Sequence, residues 1–264
     1  MIIDLTGKTA LITGSTQGIG HAIAAGLADA GARVILNGRT GTRTRTAAER
    51  LETENPKAIV GALAADLTTE EGALKAQEMF PDVDILINNL GIFGATAALE
   101  ITDEQWRTYF DTNVLSAVRL TRNYLPAMMG NGWGRIINIA SETAVVTPID
   151  MIHYGMSKTA LLAVSRGFAK AAAGSGVTVN SLLAGPTRTG GVEEYVYDLI
   201  GRELPWEDAQ RKFMLEHRAQ SLLQRLIEPE EIANMAVYLS SKQASATTGA
   251  AVRVDGGYID AIIP

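Results

Sequence analysis

The sequence predicts an α/β fold built on a parallel sheet, carried in a single domain. Three observations predict it. Short apolar runs bounded by glycine and polar residues alternate with longer helical patterns down most of the chain, the rhythm of βαβ units. Gaps between units are short, with no Pro/Gly/Ser-rich linker or internal repeat. A glycine-rich turn follows the first apolar run and leads directly into a helix. The 264 residues exceed the roughly 150 of an average domain, but the unbroken alternation assigns 1–264 to one domain.

Taken in order, the apolar runs 9–13, 33–37, 58–63, 85–88, 135–140, 177–182 and 251–254 read as seven strands. Between them, 19–30, 44–54, 69–80, 103–129, 154–173 and 229–240 read as helices. Thr102, followed by Asp103 and Glu104, supplies a cap with acids in the first turn, where the positive end of a helix favours them. Glu228-Pro229-Glu230-Glu231 places proline and acids in the same way. One segment breaks the rhythm: 187–225 carries Tyr195, Tyr197, Trp206, Phe213 and Met214 among many charges. A connection that long reads either as a lid over a binding site or as surface helices packing their aromatics on the core.

Composition excludes several functions. With 23 basic and 29 acidic residues the net charge is −6, which argues against a nucleic-acid surface. No cysteine is present, so disulfides, thiolate metal sites and a thiol nucleophile are ruled out. The three histidines, His21, His153 and His217, are scattered, and no metal site is expected. Residues 1–8 lack a basic start followed by an apolar core, and no stretch has the roughly 20 apolar residues of a membrane span. A cytoplasmic protein without nucleic-acid or membrane partners is the expectation.

The glycine-rich turn is Thr13-Gly14-Ser15-Thr16-Gln17-Gly18-Ile19-Gly20. Glycines there permit a tight turn and close backbone approach, so amide groups and the positive helix end can meet a pyrophosphate. About 20 residues further on, an acid would accept from the ribose 2′-hydroxyl of NAD. Instead Ala30 to Ala48 holds Arg33, Arg39, Arg43 and Arg45 and no acid. In Asn37-Gly38-Arg39-Thr40 a guanidinium stands at a strand end, suited to bidentate binding of a 2′-phosphate. NADP(H) is therefore favoured, with NAD(H) as the alternative, while Arg43 and Arg45 read as the solvated face of the next helix.

Tyr154-Gly155-Met156-Ser157-Lys158 sets a phenol and an ammonium four residues apart on one helix face. A cation lowers a phenol's pKa, so the pair could shuttle a proton while hydride moves to or from a nicotinamide. Tyr238 and Lys242 have the same spacing but end the last helix, far in sequence from the glycine turn. Context separates the two pairs. Ser141 ends the fifth strand, 13 residues before Tyr154, and Asn88-Asn89-Leu90-Gly91 ends the fourth. Both therefore fall on the carboxyl edge of the sheet, where such folds bind ligands. Asn113, awkward inside a helix, suggests a functional or bend-inducing role.

These residues, with Asp66-Leu67, Asn180, Gly185-Pro186-Thr187 and Asp255-Gly256-Gly257 in order, make the chain resemble the short-chain dehydrogenase/reductase family from Lys8 to about Tyr258, near its 3-oxoacyl-reductase-like members. The resemblance implies a doubly wound Rossmann fold with a seven-stranded parallel sheet and helices on both faces. It implies an oxidoreductase interconverting a ketone and a secondary alcohol, with Tyr154 as acid/base. Lys158 would lower the pKa of Tyr154 and hold the ribose, Ser141 would bond the substrate oxygen, and Asn113 would support a water relay. Cofactor contacts would come from Gly14, Ser15, Gln17, Gly18, Ile19 and Gly20, from Arg39, Asp66, Leu67, Asn89 and Gly91, and from Gly185, Pro186, Thr187 and Thr189, besides Tyr154 and Lys158. A homotetramer is implied as well, with the apolar tail 258–264 available to pack on a neighbour. Leu90 and Ala184 stand where the family usually has alanine and proline, so altered affinity or pocket shape is expected.

The expected pocket comprises Ile92, Phe93, Thr143, Val145, His153 and the aromatics of 187–225, largely apolar and without a carboxylate clamp, with His153 read as structural. A free small-molecule ketone or alcohol ranks above an acyl group on a carrier protein. Gly130-Asn131-Gly132-Trp133 and Ala173-Gly174-Ser175-Gly176 are uncharged and would steer an acidic carrier little. The alternatives are a 3-oxoacyl-(acyl-carrier-protein) reductase and a non-catalytic cofactor-binding regulator, the second disfavoured by the intact Ser141, Tyr154 and Lys158.

Overall fold

The strands β1 (Thr9–Ile12), β2 (Arg33–Gly38), β3 (Ile59–Ala64), β4 (Ile85–Asn88), β5 (Gly134–Ser141), β6 (Val177–Ala184) and β7 (Ala251–Val254) form one sheet in a computed structural model. Their order is β3-β2-β1-β4-β5-β6-β7, and every pairing is parallel. The structure describes residues 2–262, so Met1 and the end of the apolar tail, Ile263 and Pro264, lie outside the described residues.

Alternation along the strands supplies two core layers. Ala10, Ile12, Val34, Leu36, Ile85, Ile87, Ile137 and Ile139 point to one face. There they meet α1 (Gly18–Asp29) through Ile23 and Leu27, and α9 (Pro229–Leu239) through Ile232 and Ala236. Leu11, Ile35, Leu86 and Ile136 point to the other. That layer is closed by α3 (Glu70–Met79), α5 (Ser116–Gly130) and α6 (Ile152–Ala171). Strands covered on both faces read as continuous apolar runs, the pattern that made them visible in the sequence. The single-domain doubly wound expectation holds.

Element ends moved by up to three residues. β6 runs to Ala184 because Ser141 and Val254 pair with that residue from either side, and α2 (Gly41–Glu54) starts three residues early. The single helix expected over 103–129 consists of α4 (Asp103–Phe110) and α5, joined by a π-turn at Asp111–Leu115 that contains Asn113. Thr102 closes a full capping box with Gln105, and Glu228 closes another with Glu231. The long connection folds as α7 (Gly190–Ile200) and α8 (Trp206–His217), which bury Val196, Ala209, Phe213 and Met214 in a small cluster of their own. Among the described residues no helix is long and apolar enough to cross a membrane.

The order reverses at β1, which lies between β2 and β4. A crevice opens at the carboxyl ends of strands on such a reversal. Residues 13–20, 37–40, 88–92 and 141–144 all follow carboxyl ends of this sheet.

Candidate active site

The turn after β1 is held by two asparagines. Asn37 accepts from the Gly14 N–H with Oδ1 at 3.1 Å and donates through Nδ2 to the Leu63 and Ala65 carbonyls. Asn89 donates through Nδ2 to the Thr13 and Gly14 carbonyls at 3.0 Å each. Gly14 has φ +60°, open to glycine at little cost. A Cβ on Gly20 would stand 2.5 Å from Asn89 Nδ2 and 2.7 Å from the Gly14 carbonyl oxygen. The Ser15 side chain is spent inside the turn, donating to the Ile12 carbonyl at 2.7 Å. Sequence reasoning gave Asn37 no role of its own, although a polar residue closing an apolar strand was a visible signal.

The helix that follows is open at its positive end. Gln17 makes no side-chain cap at the start of α1, and no acid occupies the first turn. Its orphan N–H groups can therefore meet an anion. Beside them lies a cavity of about 400 Å³ lined by Gly14, Gly38, Arg39, Thr40, Arg43, Asp66, Leu67 and Leu90, among others. Arg43, expected on the solvated face, borders this cavity with Arg39, because the first turn of α2 faces the end of β2. Arg45 is exposed and stays outside it. A tight turn, an uncapped helix end and two guanidinium groups fit a phosphorylated dinucleotide.

A second cavity, of about 180 Å³, takes its wall from the residues on either side of Leu90, which lines the first. Ile19, Asn89 and Gly91 line it together with Ser141, Tyr154, Lys158, Gly185, Pro186, Thr187 and Thr189. Thr189 caps α7 by accepting from the Val192 N–H, and its Cγ2 lies 3.2 Å from where a Cβ on Gly18 would stand. Lys158 donates to the Ile139 carbonyl at 2.9 Å, and its Nζ lies 5.7 Å from the centre of the Tyr154 ring. Burial lowers Lys158 to about 8. Tyr154 moves the other way: burial and then the charge of Glu142 push its phenol well above the ordinary value, and the nearby Ser141 hydroxyl opposes them only in part. The expected lowering by Lys158 is not among these influences, and desolvation, which penalises the phenolate, dominates.

Asn113 sits behind Gly91. Its Nδ2 donates to the Ile92 carbonyl and to Ser157 Oγ, and its Oδ1 accepts from the Ile92 N–H at 2.8 Å. It ties the loop after β4 to α6 and does not line the cavity. The π-turn inserts the extra residue that aims it there.

The pocket wall differs from the sequence expectation in two ways. Ile92, Phe93, Thr143, Tyr195 and Phe213 line it, whereas Val145, His153, Tyr197 and Trp206 do not. His153 is fully buried with its ring 4.1 Å from that of Tyr109, and burial lowers its pKa, in keeping with a structural histidine. Glu142 and Arg218 also line the pocket, so the wall is not uniformly apolar. Glu142 directly follows Ser141 at the ligand edge, a signal the sequence contained. Arg218 comes into place only through α8, its guanidinium 5.2 Å from the Phe213 ring and 5.7 Å from that of Tyr258. Of the two departures from the family pattern, Leu90 lines the larger cavity and Ala184 the smaller. Tyr238 and Lys242, the second pair of equal spacing, border neither.

Comparison with known proteins agrees with this geometry. A family profile described as Enoyl-(Acyl carrier protein) reductase matches residues 14–259. An uncharacterized oxidoreductase, YvaG of Bacillus subtilis (strain 168), is 46% identical over 263 residues, covering 99% of this chain and 100% of the relative. The 3-oxoacyl-[acyl-carrier-protein] reductase FabG of Aquifex aeolicus (strain VF5) is 33% identical, with 97% and 99% covered. L-sorbose reductase from Gluconobacter frateurii, solved with NADPH and L-sorbose, superposes with a TM-score of 0.92 at 32% identity, with 99% and 100% covered.

Proposed function

The chain belongs to the short-chain dehydrogenase/reductase family, and from that premise we propose that it interconverts a small ketone and the corresponding secondary alcohol with NADP(H). One observation carries the reading: Ser141, Tyr154 and Lys158 line a single cavity with Ile19, Asn89 and Gly91 of the cofactor cleft. A bound nicotinamide supplies or receives the hydride. Tyr154 would give its phenolic proton to the carbonyl oxygen in reduction, and Ser141 would hold that oxygen. Lys158 would grip the ribose beside it, and Gly14 to Gly20 with the open end of α1 would seat the pyrophosphate.

Arg39 and Arg43 at the larger cavity support a 2′-phosphate, and a sorbose reductase solved with NADPH at a TM-score of 0.92 supports the same cofactor. Arg39→Ala is expected to lower the ratio of kcat/KM for NADPH to that for NADH by about ten- to a hundredfold, the worth of one charge-assisted bidentate contact. Steady-state kinetics with both cofactors checks it. A wild-type enzyme that used NADH as well as NADPH would overturn the preference.

Free small molecules are favoured over carrier-bound acyl groups, because the pocket is small and Glu142 and Arg218 add polar groups to its wall. The second reading, a 3-oxoacyl-(acyl-carrier-protein) reductase, draws on the 33% identity to FabG. A substrate panel followed by NADPH absorbance separates them: polar ketones are expected to turn over faster than a carrier-linked 3-oxoacyl group, and the reverse order would select the second reading. A cytoplasmic homotetramer remains the family expectation.

A further inference from the structure

Glu142 is an acid where the reaction described above needs none. It is 5% exposed and enters none of the ion pairs among the described residues. Its Oε2 lies 2.6 Å from Ser141 Oγ, close enough for a charge-assisted bond. Burying an unpaired carboxylate is costly, and a pocket-lining position beside a catalytic hydroxyl gives that cost a use.

The hydrogen-bond inventory of Ser141 shows what the use is. A serine hydroxyl has one proton and two lone pairs. The Thr143 N–H already donates to Ser141 Oγ at 3.2 Å. An ionised Glu142 can only accept, so the single proton of Ser141 points at it and none faces a substrate oxygen. A protonated Glu142 can donate to Ser141 Oγ, which releases the serine proton toward the pocket.

The groups facing Glu142 are Ser141 beside it, Tyr154 and Lys158 on α6, Arg218 after α8 and Asp255 after β7. Burial is the largest influence and raises its pKa, reinforced by Asp255 and opposed by Ser141 and Arg218. The protonated form is thus favoured to higher pH than for an exposed glutamate.

We propose that Glu142 is a positioning residue whose proton decides whether Ser141 offers its hydroxyl to the substrate oxygen or turns it away. The proposal rests on the carbonyl-reduction reading given above. It gives reduction a pH dependence of its own: kcat/KM falls about tenfold as Glu142 ionises with rising pH, the worth of one lost hydrogen bond to the carbonyl oxygen.

The test compares Glu142→Gln and Glu142→Ala with the wild type across pH, using NADPH and the best ketone of the panel. The glutamine amide donates to Ser141 at every pH and alanine accepts nothing from it, so neither variant is expected to show the wild-type decline. A decline in Glu142→Gln identical to the wild type overturns the proposal. Infrared pH-difference spectra of the wild type provide a readout that needs no substrate. A carboxylic-acid carbonyl stretch is expected that disappears in Glu142→Gln and shifts in Ser141→Ala. Spectra showing Glu142 ionised throughout, or a stretch unmoved by Ser141→Ala, overturn it as well. If no ketone turns over, the reading of function falls on the kinetics while the infrared result still decides the Glu142–Ser141 bond.

Discussion

Tyr154→Phe is expected to lower kcat for carbonyl reduction by about a hundred- to ten-thousand-fold, the range for a positioned general acid, with little change in NADPH affinity. The substitution removes one hydroxyl and keeps the ring, whose centre lies 6.4 Å from those of both Phe93 and Tyr109. The glycine turn and its asparagine clamps are untouched. Turnover measured by NADPH absorbance and binding measured by cofactor fluorescence separate the two effects, and a fully active variant would remove Tyr154 from the chemistry. Direction follows from the same group. Burial holds the phenol protonated, ready to give a proton in reduction and reluctant to lose one in oxidation. Alcohol oxidation should therefore gain more from alkaline pH than ketone reduction does.

The sheet and the glycine turn were legible because they depend on local pattern. Strands buried on both faces are apolar throughout, and Gly14 and Gly20 mark a turn that side chains would obstruct. Ser141, Tyr154 and Lys158 were legible because strand ends and helical spacing place them on one edge without knowledge of packing. Glu142 was not. An acid in a sequence is usually solvated, and this one is buried only because α6, Arg218 and the residues after β7 close around it. The role of Asn113 was half legible: its awkwardness in a helix announced a bend, but the bonds to Ile92 and Ser157 depend on a π-turn that periodicity does not reveal. Arg218 was hidden for the opposite reason to Glu142, since one charge among many in 187–225 carries no mark until α8 sets it beside Phe213 and Tyr258.

Lys158→Met is expected to stabilise the fold at neutral pH while impairing turnover. Lys158 is 5% exposed, and burial takes its pKa from 10.5 to about 8. That shift corresponds to about 3 kcal/mol, at 1.36 kcal/mol per pKa unit. Between about 8 and 10.5 the unfolded chain holds a proton that the folded chain has released, so stability rises with pH through that window. Below about 8 the full cost of the buried charge is present. Methionine fills similar space without charge, so its melting temperature should exceed that of the wild type at pH 7 and the gap should close near pH 10.5. Equal melting temperatures at pH 7 would mean that the Ile139 carbonyl and the nearby Glu142 fully offset the desolvation of Lys158. The two buried charges are coupled, because the negative charge of Glu142 raises the pKa of Lys158. Removing it with Glu142→Gln should make Lys158 release its proton at lower pH, so the stabilising effect of Lys158→Met at neutral pH should change in that background. A double-mutant cycle of melting temperatures across pH measures this coupling, and strict additivity would place the two groups out of electrostatic reach of each other.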